Sequence, residues 1–148
     1  MKKGFMASSS PTDVIRELYV RMDAGREDMY DLLTEDVQFY LPKFGIGRGR
    51  AELKLCASGA AVALRSLAHD PNSFRFIEGT NGVVLEGYTT GETVSGNRFA
   101  GGKTPGGRFC GVYEFRGSLI SRIYIYMDPD YGGADEPRFL WGREGRQW

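Results

Sequence analysis

The hydrophobic period of this chain changes near residue 70, and that change limits the folds open to it. Before that point, one short strand apart, apolar residues recur at helical spacing. Beyond it "NSFRFIEGT", "GVVLEGYTTGETV", "GGRFCGVYEFRG" and "LISRIYIYMD" alternate residue by residue, each parted from the next by glycines or by Asn81-Gly82, which hairpin turns favour. In the first part, "SPTDVIRELYVRMDAG" opens on Ser or Thr capping residues with Pro11 near the first turn. It places Ile15, Leu18, Tyr19 and Met22 on one face and stops at Gly25. "REDMYDLLTED" repeats the pattern as a short second helix with Met29, Leu32 and Leu33 inward, and "VQFYLP" alternates as a strand ended by Pro42. The Ala- and Leu-rich "GRGRAELKLCASGAAVALRSLAHD" reads as a third helix ending near His69. Three helices followed by long antiparallel strands predict an α+β domain, with the helices packed on one face of a curved, mostly antiparallel sheet.

A chain of 148 residues is the size of one domain that folds without staples. Lys+Arg and Asp+Glu balance at 19 each, which argues against nucleic-acid or acidic-membrane partners, since both demand a basic surface. No apolar run approaches the ~20 residues of a membrane span. Residues 1–10 carry two lysines but no apolar signal core and are expected as a loose tail, residues 11–130 as the domain, and the cytoplasm as the location. Residues 131–148 form an extension whose Phe139, Trp141 and Trp148 need something apolar to cover. Cys56 and Cys110 lack CxxC spacing or a His/Cys cluster, so they are expected as buried free thiols, with no metal and no cofactor. The glycine-rich "GRGR" and "SGNRFAGGKTPGG" lack the setting of a phosphate loop and read as a helix start and a hairpin loop.

Helix, short helix, strand, helix and then four strands is an order similar to that of the nuclear transport factor 2-like superfamily, the cystatin-like cone. Locally "GYTTGETVSGNRFAGGKTPGGRF", "GVYEFRGSLI" and "ISRIYIYMDPD" resemble its SnoaL-like members, and the resemblance covers residues 12–130. It implies a cone-shaped roll whose sheet curls around the third helix and leaves an internal apolar pocket. The nine Phe, eight Tyr and two Trp suit a pocket for a flat hydrophobic ligand, though they equally suit an ordinary core. The fold hosts cyclases, isomerases, dehydratases, epoxide hydrolases and non-enzymes, so the reaction has to be argued from residues.

Three chemistries of the resembled superfamily lack their acids here. Where ketosteroid isomerases have carboxyls this chain has Leu41 and Gly111. Where limonene epoxide hydrolases have their Arg and Asp residues it has Tyr88, Thr90 and Ile125, and the SnoaL cyclase Asp is matched by Tyr113. The dehydratase-like branch typified by scytalone dehydratase fits better. Its histidine is matched by His69, its oxygen-activating tyrosine by Tyr40 and its helix-borne Asp by Asp23, while its second histidine is missing. An imidazole of ordinary pKa near 6.5 takes protons at neutral pH, and Tyr40, Tyr88 or Tyr113 is a source of a hydrogen bond to an enolate oxygen. The resemblance implies a pocket lined by Gln38, Glu86, Tyr88, Tyr113, Phe115, Ile125 and Met127. Hydrophobicity alone turns Glu86 to solvent, because Val83, Leu85 and Gly87 form the more apolar face of their strand. His69 equally reads as a residue that finishes the third helix against its last carbonyls.

The expected function is therefore a cofactor-free lyase or isomerase of cyclase or dehydratase type. It would act on a small hydrophobic, polyketide- or terpenoid-like substrate, with His69 as base and Tyr40 as acid. The alternative is a non-catalytic small-molecule-binding protein of the same fold. Self-association as a homodimer through the outer sheet face is also expected, because Tyr124 and Tyr126 alternate with Ile123, Ile125 and Met127 and make both faces of the last strand bulky. Light scattering checks this: twice the chain mass is expected, and a particle of 16.5 kDa would count against the dimer.

Overall fold

The computed structural model describes residues 9–131, 133–135, 147 and 148. The first helix, α1 (Pro11–Asp23), is set by a capping box: Ser10 Oγ accepts from the Asp13 amide at 3.2 Å, and the Asp13 carboxylate accepts from the Ser10 amide at 3.2 Å. It stops in a Schellman arrangement, with Gly25 at φ 64° and the Arg26 amide bonded to the Arg21 carbonyl at 2.9 Å. The second helix is a single 3₁₀ stretch, Glu27–Leu32, that runs straight into β1 (Leu33–Leu41).

Then come β2 (Gly45–Arg48), α2 (Arg50–Ala63), β3 (Leu64–Gly79), β4 (Gly82–Thr93), β5 (Arg98–Ala100), β6 (Arg108–Arg116) and β7 (Leu119–Met127). Among the described residues the strands form one sheet in the order β2-β1-β7-β6-β4-β3, with β5 on β4. Among these described strands only the β1–β7 pair is parallel. Two α-helices and one 3₁₀ helix thus stand where three α-helices were expected, and β2 and β5 lie in stretches read as a helix start and a loop.

The largest departure is at the end of α2. The Ala/Leu pattern of residues 50–70 continues at helical spacing, yet the helix ends at Ala63 and Leu64 is already extended. The upper half of β4 needs a ladder partner, and residues 64–70 supply it: Leu64 pairs with Thr93, Leu67 with Gly91 and His69 with Thr89. Tertiary pairing has overridden local propensity. His69 therefore sits inside a sixteen-residue strand and does not finish a helix. Just beyond it β3 is irregular: the register slips between Asp70 and Arg75, and Pro71 escapes the ladder.

The core lies on the helix-covered face of the sheet. Val14, Ile15, Leu18 and Tyr19 of α1 pack with Phe39 of β1, Leu85 of β4, Phe109 and Tyr113 of β6 and Ile120 of β7. Strand alternation assigns the rest: Val83, Leu85, Gly87 and Thr89 point inward, and Val84, Glu86 and Tyr88 do not. Glycine makes room for rings at several inward positions. A Cβ on Gly87 would stand 2.8 Å from Phe109 and 2.9 Å from Phe74, and one on Gly111 would stand 2.3 Å from the Tyr113 hydroxyl.

Both cysteines are free; Cys56 is buried, and Cys110 is only partly so. Among the described residues no helix is long and apolar enough to cross a membrane. Phe139 and Trp141 lie outside the described residues. Of the extension, Tyr131 packs its ring 4.4 Å from that of Phe99, and the Trp148 carbonyl accepts from Arg108 at 2.5 Å.

Candidate functional site

Tyr19 and Asp23 are one helical turn apart, so α1 presents both side chains along the same line. Asp23 is the last helical residue. A carboxylate there opposes the helix dipole, at a cost of about 0.3–1 kcal/mol, and its partner supplies the reason for it. One carboxylate oxygen accepts from the His69 backbone amide at 2.8 Å and the other holds His69 Nδ1 at 2.7 Å. This two-point grip fixes where β3 docks on α1 and which way the imidazole faces.

With Nδ1–H donating to Asp23, the tautomer follows from the hydrogen-bond network and Nε2 keeps its lone pair. Nε2 has no hydrogen-bond partner among the described residues, and it is not one of the fully buried unpaired atoms, Thr34 Oγ1 and Arg50 Nε. That edge of the ring is therefore not wholly buried. The remainder of the imidazole is enclosed, its side chain only 8% exposed. Tyr19 lies across it at 4.4 Å between ring centroids and Phe109 meets it edge-on at 5.4 Å. Phe74 closes the box, 5.5 Å from Tyr19 and 6.1 Å from Phe109.

The Tyr19 hydroxyl is hydrogen-bonded to that of Tyr113 on β6. Burial pushes both phenols well above the ordinary tyrosine value. The Tyr113 bond offsets this slightly at Tyr19, and Tyr113 is raised further by the neighbouring Tyr19. Both are neutral across the working pH range.

Of the residues expected at the site, Asp23 and His69 are brought together and Tyr113 is one ring away. Phe115, Ile125 and Met127 point inward against the core. The others lie elsewhere. Tyr40 follows the inward Phe39 and so faces away from His69, its ring 5.7 Å from Tyr124 and 5.4 Å from Tyr126. The oxygen-polarising role expected of it has no geometry here. Gln38 shares that outer face and donates to the Tyr124 hydroxyl at 2.7 Å.

Glu86 also points outward, paired to Arg75 at 2.9 Å, and Tyr88 lies under the Arg108 guanidinium at 4.8 Å. The apolar pattern of β4 decided its orientation, against the pocket face implied by the resemblance. Together with Cys110 and Tyr126, Glu86 and Tyr88 line a shallow outer cleft of about 350 Å³, on the other side of the sheet from His69. Among the described residues no three His, Cys, Asp or Glu side chains are grouped to hold a metal ion.

Tyr19, Phe74 and Phe109 were not expected at the site. A signal for them was present: Gly87 interrupts an otherwise apolar inward row, and a strand glycine marks close approach of another group.

A helix pair laid on a curved, mostly antiparallel sheet is the nuclear transport factor 2-like, or cystatin-like, fold. Solved structures agree. An NTF2-like protein of unknown function from Burkholderia pseudomallei K96243 is similar at a TM-score of 0.70 and 18% identity, over 82% of this chain and 92% of that one. TerC, co-crystallised with polyporic acid, is similar at a TM-score of 0.68 and 20% identity, over 80% and 92% of the two chains. A candidate polyketide cyclase from Pseudomonas putida KT2440 is similar at 0.67 and 12%, over 84% and 96%. At these identities the likeness is one of fold. The sequence matches no family model and no curated protein.

Proposed function

We propose that this protein is a cofactor-free lyase or isomerase that removes a proton from a small, hydrophobic carbonyl compound, with His69 as the base and Asp23 as its orienting partner. The observation that carries this reading is the Asp23 grip on His69 Nδ1, which leaves Nε2 unbonded beside an aromatic wall. In the first step Nε2 takes the proton from the carbon next to the carbonyl. The C–H electron pair becomes the new C=C bond, and the carbonyl oxygen takes the negative charge. The imidazolium so formed is stabilised by the carboxylate already bonded to its other nitrogen. Return of the proton at another carbon gives an isomerase, loss of a β-hydroxyl as water gives a dehydratase, and attack of the enolate on a second carbonyl gives a cyclase. Cyclase-type neighbours and the polyporic acid held by TerC support a small-molecule ligand for this fold.

The test uses 2-tetralone, a generic planar ketone, in D₂O near neutral pD, with loss of the α-proton signal followed by NMR. The wild type is expected to accelerate exchange above buffer, and His69→Gln to reduce that acceleration by about 10²-fold or more. Because the backbone amide of residue 69 still reaches Asp23, the variant is expected to lose only about 1 kcal/mol of stability. Equal exchange by the wild type and His69→Gln would remove the base. If 2-tetralone bound with no acceleration at all, the chain would be a non-catalytic binding protein of the same fold.

A further inference from the structure

On the outer face of the sheet, strand register sets the side chains out as a grid. One rung runs Arg75, Glu86, Cys110 and Tyr126 across β3, β4, β6 and β7, and the next carries Tyr88 opposite Arg108. Rungs on one face are about 7 Å apart and strands about 5 Å apart, so these six side chains are neighbours. Cys110 is the one short side chain among them, and the room left above its half-buried thiol makes the outer cleft of about 350 Å³. That volume lies within the span of small-molecule sites.

The charges in this cleft do not cancel. Arg75 and Glu86 pair with each other at 2.9 Å. Arg108 forms no ion pair with an Asp or Glu side chain among the described residues. Its guanidinium lies 4.8 Å over the Tyr88 ring, and Nη2 donates to the main-chain oxygen of Trp148 at 2.5 Å. The chain itself thus already sets one oxygen acceptor on this cation. A guanidinium has five donors in a planar fork, and this contact uses one of them. On the other side of Cys110, Tyr126 stands 48% exposed and offers an aromatic wall.

We propose that the outer cleft is a second small-molecule site, for a planar aromatic carboxylate. Its ring lies over Cys110 beside Tyr126, and its carboxylate takes the remaining donors of Arg108. A carboxylate matches the guanidinium fork with two parallel hydrogen bonds, whereas a neutral carboxamide has a single acceptor oxygen and no charge. This site is independent of the proton-transfer reading. Phe109, between Arg108 and Cys110, turns the opposite way and meets the His69 ring edge-on at 5.4 Å, so the two sites lie back to back across β6.

The experiment titrates 2-naphthoate, and its neutral counterpart naphthalene-2-carboxamide, into the full chain by calorimetry. N-ethylmaleimide labelling of Cys110, followed by mass spectrometry, locates the bound molecule. Wild type is expected to bind naphthoate about tenfold more tightly than the carboxamide, the effect of one hydrogen-bonded charge pair. Arg108→Gln is expected to lose that preference. Arg108→Lys, which keeps the charge without the fork, is expected to retain only part of it. Saturating naphthoate is expected to slow Cys110 labelling severalfold, and His69→Gln to leave both readouts unchanged.

Equal naphthoate affinity in Arg108→Gln and wild type would overturn the proposal. So would unchanged labelling of Cys110 at saturation, a result that needs no variant. A preference lost in His69→Gln would place the anion at the inner site instead. Cys110 already shielded without ligand, in a particle of twice the chain mass, would mean that a second copy covers the cleft and that no ligand site exists there.

Discussion

Stability in urea falls by about 3 kcal/mol between about pH 10 and pH 11, because the buried Tyr19 and Tyr113 and the half-buried Tyr131 hold their protons in the native state and release them on unfolding. Tyr19 and Tyr113 are raised well above the ordinary value of 10.0, chiefly by burial, and Tyr131 is pushed up to about 12, first by burial and then by Asp128. The sign follows from proton counts. Below about pH 10 both states are protonated and the contribution is intact. Above it the unfolded chain has lost protons that the native chain retains, and each tyrosine then removes about 1.4 kcal/mol per pH unit until its native pKa is reached. The thiols of Cys56 and Cys110, raised by burial, act in the same direction from about pH 9. Against a total of roughly 5–15 kcal/mol, this is enough to unfold the protein near pH 12. Urea titrations at half-unit steps from pH 8 to 12 measure it. Tyr113→Phe is expected to flatten the slope by about a third, and stability that stays level to pH 12 would show that the phenols ionise in the folded state.

Gly91→Ala is expected to cost about 3 kcal/mol or more and to lower Tm by roughly 10 °C. The new Cβ would stand 2.2 Å from the Ser66 carbonyl and 2.5 Å from Phe99 Cζ. A ring can turn aside, but a backbone carbonyl on the paired strand cannot, so β3 and β4 must part where Leu67 faces Gly91. Residues 66 to 69 share that arm of β3, so the imidazole shifts as well and 2-tetralone exchange should fall together with Tm. Gly59→Ala is the control. It lies inside α2 with nothing within 4 Å of the new methyl, and a slight stabilisation of about 0.5–1 kcal/mol is expected. Equal melting of Gly91→Ala and wild type by calorimetry would mean that the strands tolerate the clash.

The parts of the fold legible in the sequence were those governed by local rules. The cap at Ser10, the stop at Gly25 and the inward row of β4 depend on residues within a turn or on strict alternation, and each is found in the structure. The end of α2 was not legible, because "ALRSLAH" is good helix sequence and only the unfilled edge of β4, twenty to thirty residues further on, turns it into strand. The candidate site divides in the same way. Asp23 and His69 were named from resemblance, and their contact spans 46 positions. Tyr40 was named on the same ground, but one residue of alternation carries it to the other face. Tyr19 passed as a core residue on a helix face, since nothing local reveals that its hydroxyl meets one 94 positions away.

The parallel pairing of β1 with β7 has a consequence for how the chain is made. Phe39 lies opposite Ile123, so the first strand of the sheet finds its inner neighbour only in the last. During synthesis α1 emerges long before any surface it can pack on, and a thirteen-residue helix alone is marginal in water. Its apolar face, Val14 to Tyr19, must wait through about a hundred residues of translation. Contacts this remote in sequence also slow folding in the test tube. The candidate site inherits that timing: Asp23, His69 and Tyr113 come from α1, β3 and β6, so a nascent chain stopped before β6 carries Asp23 and His69 and lacks the strand that completes their surroundings.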